Sequence, residues 1–358
     1  MLVAHVGVFY NSDTVLYHIK QFKQGINSEL YHNVDAFVDC TAPVRIAILH
    51  IPYPVDPEFV SLVRRLQSWC SAVFVICTEL HPGTVAQIQQ CDYSNTLYYV
   101  AGTLNFNMAF SPVHECQDWF HTTSYFYQQY LPELLTRLQP YSVKPRSFDA
   151  LLGRKKPHRD HVYNLITASG LPSVTTYINK TQTEFNSDPA QWRWELPGVK
   201  MHGIPAWTVD RVDYYGHNMS ISQIIPIEVY NETAFSLVTE TCYSNDFSFY
   251  TEKTCKPILS RRLFVVFAGQ YHLRNLRRMG FLTFGDIIDE SYDQEPDPEY
   301  RWNQAFDQVR LLCGMDQLTM LSKTQHITNH NYQVMTQNNW YNRFSQQLEQ
   351  DIARTIAD

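Results

Sequence analysis

Through its first 140 residues the chain repeats one pattern: a short apolar run, a polar or turn residue, then an amphipathic stretch of helical spacing. Short apolar runs alternating with such stretches fit parallel strands joined by crossover helices. Residues 4–10, 45–51, 72–77 and 97–101 are the expected strands. Residues 12–25, 56–69, 83–90 and 115–138 are the expected helices, with Pro132 kinking or splitting the last because proline lacks the N–H a helix interior needs.

Residues 139–157 hold three prolines and a run of cations and read as the crossing between domains. Beyond it the alternation resumes, with a helix at 161–169 and strands near 174–178, 221–225, 235–239 and 263–268. The stretch 180–220, rich in Trp, Pro and Asn, has no clear period and reads as loop or irregular insertion. Trp340, Phe344, Leu348, Ile352 and Ile356 fall on one face of a terminal helix that can pack back on the first domain. At 358 residues the chain exceeds the size at which one core stops growing. The expectation is α/β: two Rossmann-like domains facing a cleft, at 1–145 and 146–337, with 338–358 returning to the first.

A net charge of −7 argues against a protein that coats a nucleic-acid backbone, since that affinity comes from many cations on phosphates. The eight cysteines include no CxxC pair, and several sit in apolar runs, so they read as buried thiols of a reducing compartment. MLVAHVGVFY has no charged leader, and no apolar run is long enough to span a bilayer, so a cytoplasmic protein without a membrane span is expected. No HExxH, GxSxG, GxxxxGK[ST] or GxGxxG occurs, and no Cys/His spacing suits zinc.

Chemistry concentrates in residues 235–293. Glu240 follows an apolar strand, at the end where ligands of open α/β sheets bind, and a carboxylate there can accept ribose hydroxyls; taken alone, such an acid is more often simply exposed at a strand end. Tyr250, Thr251, Glu252 and Lys253 follow within one loop. Thr251 can cap a helix whose positive end faces an anion, and Lys253 and Lys256 add charge for a departing diphosphate. Pro257 disfavours helix at Lys256, leaving 251–256 as either helix or loop; the plain alternative is a solvated amphipathic helix. Arg154, Lys155, Lys156, His158 and Arg159 form a second cationic run, with Arg159 in a first helical turn able to hold phosphate; taken alone, such a run is usually solvated. The tract 286–299 carries seven carboxylates without ligand spacing and reads as a solvated acidic loop. Glu79 and His81, just past the strand 72–77, are candidates for a general base, with Asp39 a weaker one; taken alone, each is more often a turn or capping residue.

FSLVTET with Glu240, followed by DFSFYTEK, resembles the donor-binding motif of the α1,3-fucosyltransferase family and related GT-B glycosyltransferases. The longer run to FLTFGDIIDESYD is similar to putative glycosyltransferases of marine phages. In that family a strand ending in Glu precedes a (Ser/Thr)-Glu-Lys element, a helix and an apolar strand ending in Gly, as Gly269 does here. The resemblance spans about 60 residues, with fainter support at 150–180. It implies a GT-B fold with the donor in the second domain. It also implies metal-independent, inverting transfer of a sugar from a nucleotide diphosphate sugar to a glycan or other hydroxyl acceptor. Glu240, Tyr250, Glu252 and Lys253 would contact the donor, a GDP- or UDP-sugar acting as co-substrate with no tightly bound cofactor, and Arg159 its diphosphate. The ELHP step at Glu79 loosely resembles the family's base motif. The family's Asn-Ser is replaced by Thr241-Cys242, so the sugar does not carry over. A phage-encoded enzyme would work in the host cytoplasm. Two other readings stand beside this one: transfer to a modified DNA base, disfavoured by the acidic balance, and a non-catalytic nucleotide- or glycan-binding or structural protein of the same fold.

Overall fold

The computed structural model describes residues 4–9, 26–31, 37, 44–51, 58–178, 199–201, 211–214 and 216–357. The chain is mixed α/β and divides into two compact units, Met1–Asp118 with Asn339–Asp358, and Trp119–Asn338. No helix among the described residues is long and apolar enough to cross a membrane. Seven described cysteines are free thiols, five of them buried. The expected helix at 12–25 and the candidate Asp39 lie outside the described residues.

In the first unit six parallel strands lie in the order Ile26–Tyr31, Ala4–Phe9, Val44–Ile51, Ala72–Cys77, Thr96–Val100, Val113–Glu115. The order reverses at the first strand, as it does in doubly wound sheets. Every residue of Ala72–Cys77 is buried, which is why it reads as an unbroken apolar run rather than an alternating one. Helix Phe59–Trp69 buries Phe59, Val63 and Leu66, one stripe at helical spacing. At the passage into the second unit, residues 118–137 form two helices, Asp118–Gln129 and Leu131–Arg137, because Pro132 fits only a first turn. The terminal helix Trp340–Ala357 belongs to the first unit. Its buried Asp351 accepts hydrogen bonds from Tyr99 Oη (2.8 Å) and Gln347 Nε2 (3.0 Å) and stands 3.1 Å from His114 Nε2.

The second unit is built on four parallel strands in the order Phe264–Phe267, Thr233–Thr239, Arg146–Arg154, Ser173–Ile178. Arg146–Arg154 corrects the expected domain crossing: it is a central strand, with Phe148, Ala150 and Leu152 buried. Asp149, on the face opposite those three, interrupts the apolar run; it is a buried acid paired at 2.8 Å with Arg262. The order places the second strand of this unit on one side of the first and the third on the other. The carboxyl ends of Arg146–Arg154 and Thr233–Thr239 therefore bound a topological switch point, where connecting loops diverge and leave room for a ligand.

The expected strand at 221–225 is also corrected. Ile221–Gln223 is a 3-10 turn, and tyrosine hydroxyls replace a sheet ladder for the buried backbone that follows. Tyr130 Oη donates to Gln223 O and accepts from Ile225 N, both at 2.9 Å. Tyr214 Oη donates to Ile225 O at 2.6 Å and accepts from Ile227 N at 3.2 Å. Within the stretch expected to be irregular, Val199–Met201 pairs antiparallel with Arg211–Tyr214, which pairs with His217–Ser220. Nor is the acidic tract a solvated loop. Asp293, 2% exposed, accepts from Leu273 N and Arg274 N, and Glu290 accepts from Phe284 N and Thr283 Oγ1. Asp297 caps helix Pro298–Gly314.

Gly269 ends the loop after Phe264–Phe267 where the backbone of Ser244 crosses it; a Cβ at 269 would lie 1.8 Å from the Ser244 carbonyl oxygen. Gly269→Ala must move one backbone segment or the other. It is expected to lower stability by about 1–3 kcal/mol, the range for forced overpacking, read as a fall in the thermal midpoint.

Candidate functional site

Strand Thr233–Thr239 delivers Glu240 to the switch point, but the carboxylate faces inward. Its Oε1 accepts from Thr251 N (3.2 Å) and Thr254 Oγ1 (2.5 Å), and its Oε2 from Thr251 Oγ1 (2.6 Å) and Thr241 N (3.1 Å). Four donors satisfy a fully buried carboxylate, so Glu240 holds the following turn in place and its oxygens are not presented to ribose hydroxyls as expected. Thr251 was expected as a cap; the hydroxyls of Thr241 and Thr254, and the turn of Thr251 Oγ1 towards Glu240, are what the reading from sequence missed. Thr251 and Thr254, three apart at a helix start, point back to one acceptor, and that spacing was the available signal.

The turn opens helix Glu252–Leu259 with Thr251 as N-cap. The helix thus begins before Pro257 and contains it, so the loop alternative for 251–256 is set aside. Thr251 Oγ1 accepts from Lys253 N at 3.4 Å while donating to Glu240. Tyr250 is 1% exposed, donates to His272 O at 2.7 Å and packs against Phe120, so its place is in the core rather than on a ligand.

The cations gather at Thr241. Lys156 Nζ donates to Thr241 O at 2.6 Å, and Lys253 Nζ donates to Thr241 Oγ1 at 3.1 Å, Thr251 Oγ1 at 3.3 Å and Glu252 Oε1 at 2.5 Å. Lys156 is also the N-cap residue of helix Pro157–Ser169, which starts four residues earlier than expected, with Pro157 in its first turn. Two helix N-termini, each with a lysine, thus meet at the switch point, where the positive ends of their dipoles add to the ammonium charge. Arg159 sits in the first turn as expected but is 4% exposed, its Nη1 3.3 Å from where a Cβ on Gly153 would lie. Gly153 has φ +67° at a bulge in Arg146–Arg154 and leaves room for that guanidinium. Lys155 pairs with Asp160 at the surface.

Burial sets the protonation of the neighbours. His158 is fully buried and donates from Nε2 to Glu240 O at 2.8 Å; burial, with Arg159 beside it, holds it well below the usual histidine pKa, so it is neutral. Its Nδ1 has no hydrogen-bond partner, nor has the buried Thr239 Oγ1. Burial pushes the Cys255 thiol far up, which rules it out as a nucleophile at neutral pH. Burial also pulls Lys256 down to about 8 from 10.5, with Lys253 acting the same way and Glu252 against it. Between those values the unfolded chain holds the proton that the folded chain has lost, so this group makes stability rise with pH there.

Glu79 and His81 belong to the first unit, in the loop after Ala72–Cys77. His81 is the N-cap residue of helix Pro82–Gln90, and its Nε2 is 3.9 Å from Glu79 Oε2, with side chains 20% and 38% exposed. Both side chains are partly accessible to solvent. Among the described residues no group of three or more His, Cys, Asp or Glu side chains is placed to hold a metal ion.

The class these features define is a two-unit α/β protein with parallel sheets and, in its second unit, a cationic site at a sheet switch point. Comparison with models of known protein families finds no match, and comparison with curated proteins finds none.

Proposed function

We propose that the chain is a glycosyltransferase that binds a nucleotide diphosphate sugar in its second unit and transfers the sugar to an acceptor hydroxyl. The observation that carries the reading is the convergence of Lys156 and Lys253 on Thr241, beside Lys256 and two helix N-termini, at the carboxyl ends of the two strands that flank the switch point. The resemblance of the Thr-Glu-Lys turn to the fucosyltransferase donor motif supports the same assignment.

In this reaction the acceptor oxygen bonds to the anomeric carbon, the bond from that carbon to the diphosphate oxygen breaks, and the electron pair leaves with the nucleoside diphosphate. Lys156, Lys253 and Lys256 stabilise the charge that grows on the leaving group. Glu252, the other carboxylate of the turn, is assigned to ribose or sugar hydroxyls, and Glu240 acts through the turn it holds. The acceptor's proton goes to a base. A single displacement of this kind inverts the anomeric centre.

The test is release of nucleoside diphosphate from GDP- and UDP-sugars, with and without a panel of glycan acceptors. Turnover by the wild type that Lys253→Ala abolishes supports the enzyme; specific binding without turnover on any donor moves the reading to a binding protein. Donor affinity is expected to fall as pH rises through about 8, because Lys256 loses its charge there. Titrations between pH 7 and 9 check this, and in Lys256→Gln the dependence in that range should flatten.

A further inference from the structure

Two carboxylates lie among these lysines, and they are held in different ways. Glu240 is buried and accepts four hydrogen bonds, all from neutral groups of Thr241, Thr251 and Thr254. Glu252 meets the Lys253 ammonium at 2.5 Å, with its side chain 12% exposed. Burial alone would raise its pKa, but Lys253 and Lys256 outweigh that and hold it below the usual value, so it is ionised at neutral pH.

An ammonium has three N–H donors, and those of Lys253 go to Thr241 Oγ1, Thr251 Oγ1 and Glu252 Oε1. For Lys253 to donate to a phosphate, one of the three has to be given up. Thr251 Oγ1 is tied to Glu240, and Thr241 is fixed through its backbone by Lys156 and Glu240. Glu252 sits in the first turn of its helix and is not among the partners of Glu240, so of the three acceptors it is the one a change of rotamer would free from the lysine.

We propose that Glu252 is an internal competitor for the diphosphate: its carboxylate holds Lys253 and has to be displaced before the lysine can donate to a phosphate. The displaced carboxylate is then free to accept hydroxyls, which links diphosphate capture to engagement of the ribose or sugar. A ligand with one weakly charged anionic group does not compensate for the lost ion pair, whereas a diphosphate carries the charge to do so. The inference rests on the phosphate-binding part of the proposed function and needs neither base, sugar nor catalysis.

The experiment is calorimetric titration with inorganic pyrophosphate of the wild type, Glu252→Gln, Lys253→Ala and the double variant, all checked for the wild-type circular dichroism spectrum and a cooperative thermal transition. Removing the competing charge is expected to tighten pyrophosphate about tenfold when Lys253 is present. With Lys253→Ala as background, the same change should alter affinity less than about twofold, because no lysine is released. Equal gains in both backgrounds would show a general field effect and overturn the proposal, as would no gain or a loss in Glu252→Gln. Nucleoside diphosphates separate this from the parent reading. The expected coupling without any nucleotide binding would retain the competitor and remove the donor site, whereas nucleotide binding without coupling would do the reverse. No pyrophosphate binding to any variant would sink both.

Discussion

Arg262→Ala is expected to destabilise the second unit by about 3–5 kcal/mol, the range for removing one partner of a buried ion pair. Arg262 is 4% exposed and uses its whole fork: Nε to Ser236 Oγ at 3.1 Å, Nη1 to Tyr230 O and Thr233 O at 2.8 and 2.9 Å, and Nη2 to Asp149 Oδ1 and Thr233 Oγ1 at 2.8 and 2.9 Å. Asp149 also accepts from Ser236 and Thr233. Alanine leaves this acid buried and without its countercharge. Burial already raises its pKa against the pull of Arg262, so in the variant it has to take up a proton to stay inside. Arg262→Lys should recover only part of the loss, since a point charge cannot span five acceptors. Denaturant unfolding of the two variants checks this; a loss under about 1 kcal/mol for alanine would mean the strand Arg146–Arg154 does not depend on the pair.

The second large effect is expected at Glu240, with consequences for the site as well as for stability. Glu240→Ala leaves Thr251 N, Thr241 N and two threonine hydroxyls without their shared acceptor. Hydrogen bonds to charged groups are each worth about 1.5–3 kcal/mol, and water entering the space recovers part of that, so a net loss of about 3–4 kcal/mol is expected. Thr251 would lose the contact that orients its hydroxyl, and with it the seat of Lys253. Anion binding should therefore fall even at temperatures where the variant remains folded. Glu240→Gln keeps one acceptor oxygen but brings an NH₂ towards donors, so it should lie between alanine and wild type. If Glu240→Ala keeps wild-type stability and loses only ligand affinity, the carboxylate serves a ligand rather than the turn.

How far these arrangements can be read from sequence depends on whether a residue's partner is local. Ala72–Cys77 is an uninterrupted apolar run, and its strand is plain from AVFVIC alone. Arg146–Arg154 is as central to its sheet, yet the acid in its middle argues against a strand until Arg262, 113 residues on from Asp149, is known to reach it. Residues 221–225 fail in the opposite direction. Their isoleucines look like a strand, and the backbone is satisfied by hydroxyls of Tyr130 and Tyr214 that no local pattern reveals. At the site, the Thr-Glu-Lys turn with its cap and cations is legible because capping is a matter of adjacent residues. The inward direction of Glu240 was not, because it is decided by threonine hydroxyls across the loop. Lys156 reads as part of a charge run until the parallel pairing of Arg146–Arg154 with Thr233–Thr239 brings both strand ends to Thr241.

The central claim is that the cations at Thr241 bind a nucleoside diphosphate, and thermal stabilisation tests it most directly, because a ligand that binds only the folded state must raise its stability. GDP, UDP, ADP, CMP and dTDP are compared on the wild type and on Lys253→Ala. The account predicts a saturable rise in midpoint for one or two of the diphosphates and little for CMP, with the rise lost in the variant. No rise with any nucleotide at millimolar concentration, or a rise of the same size in Lys253→Ala, would contradict it.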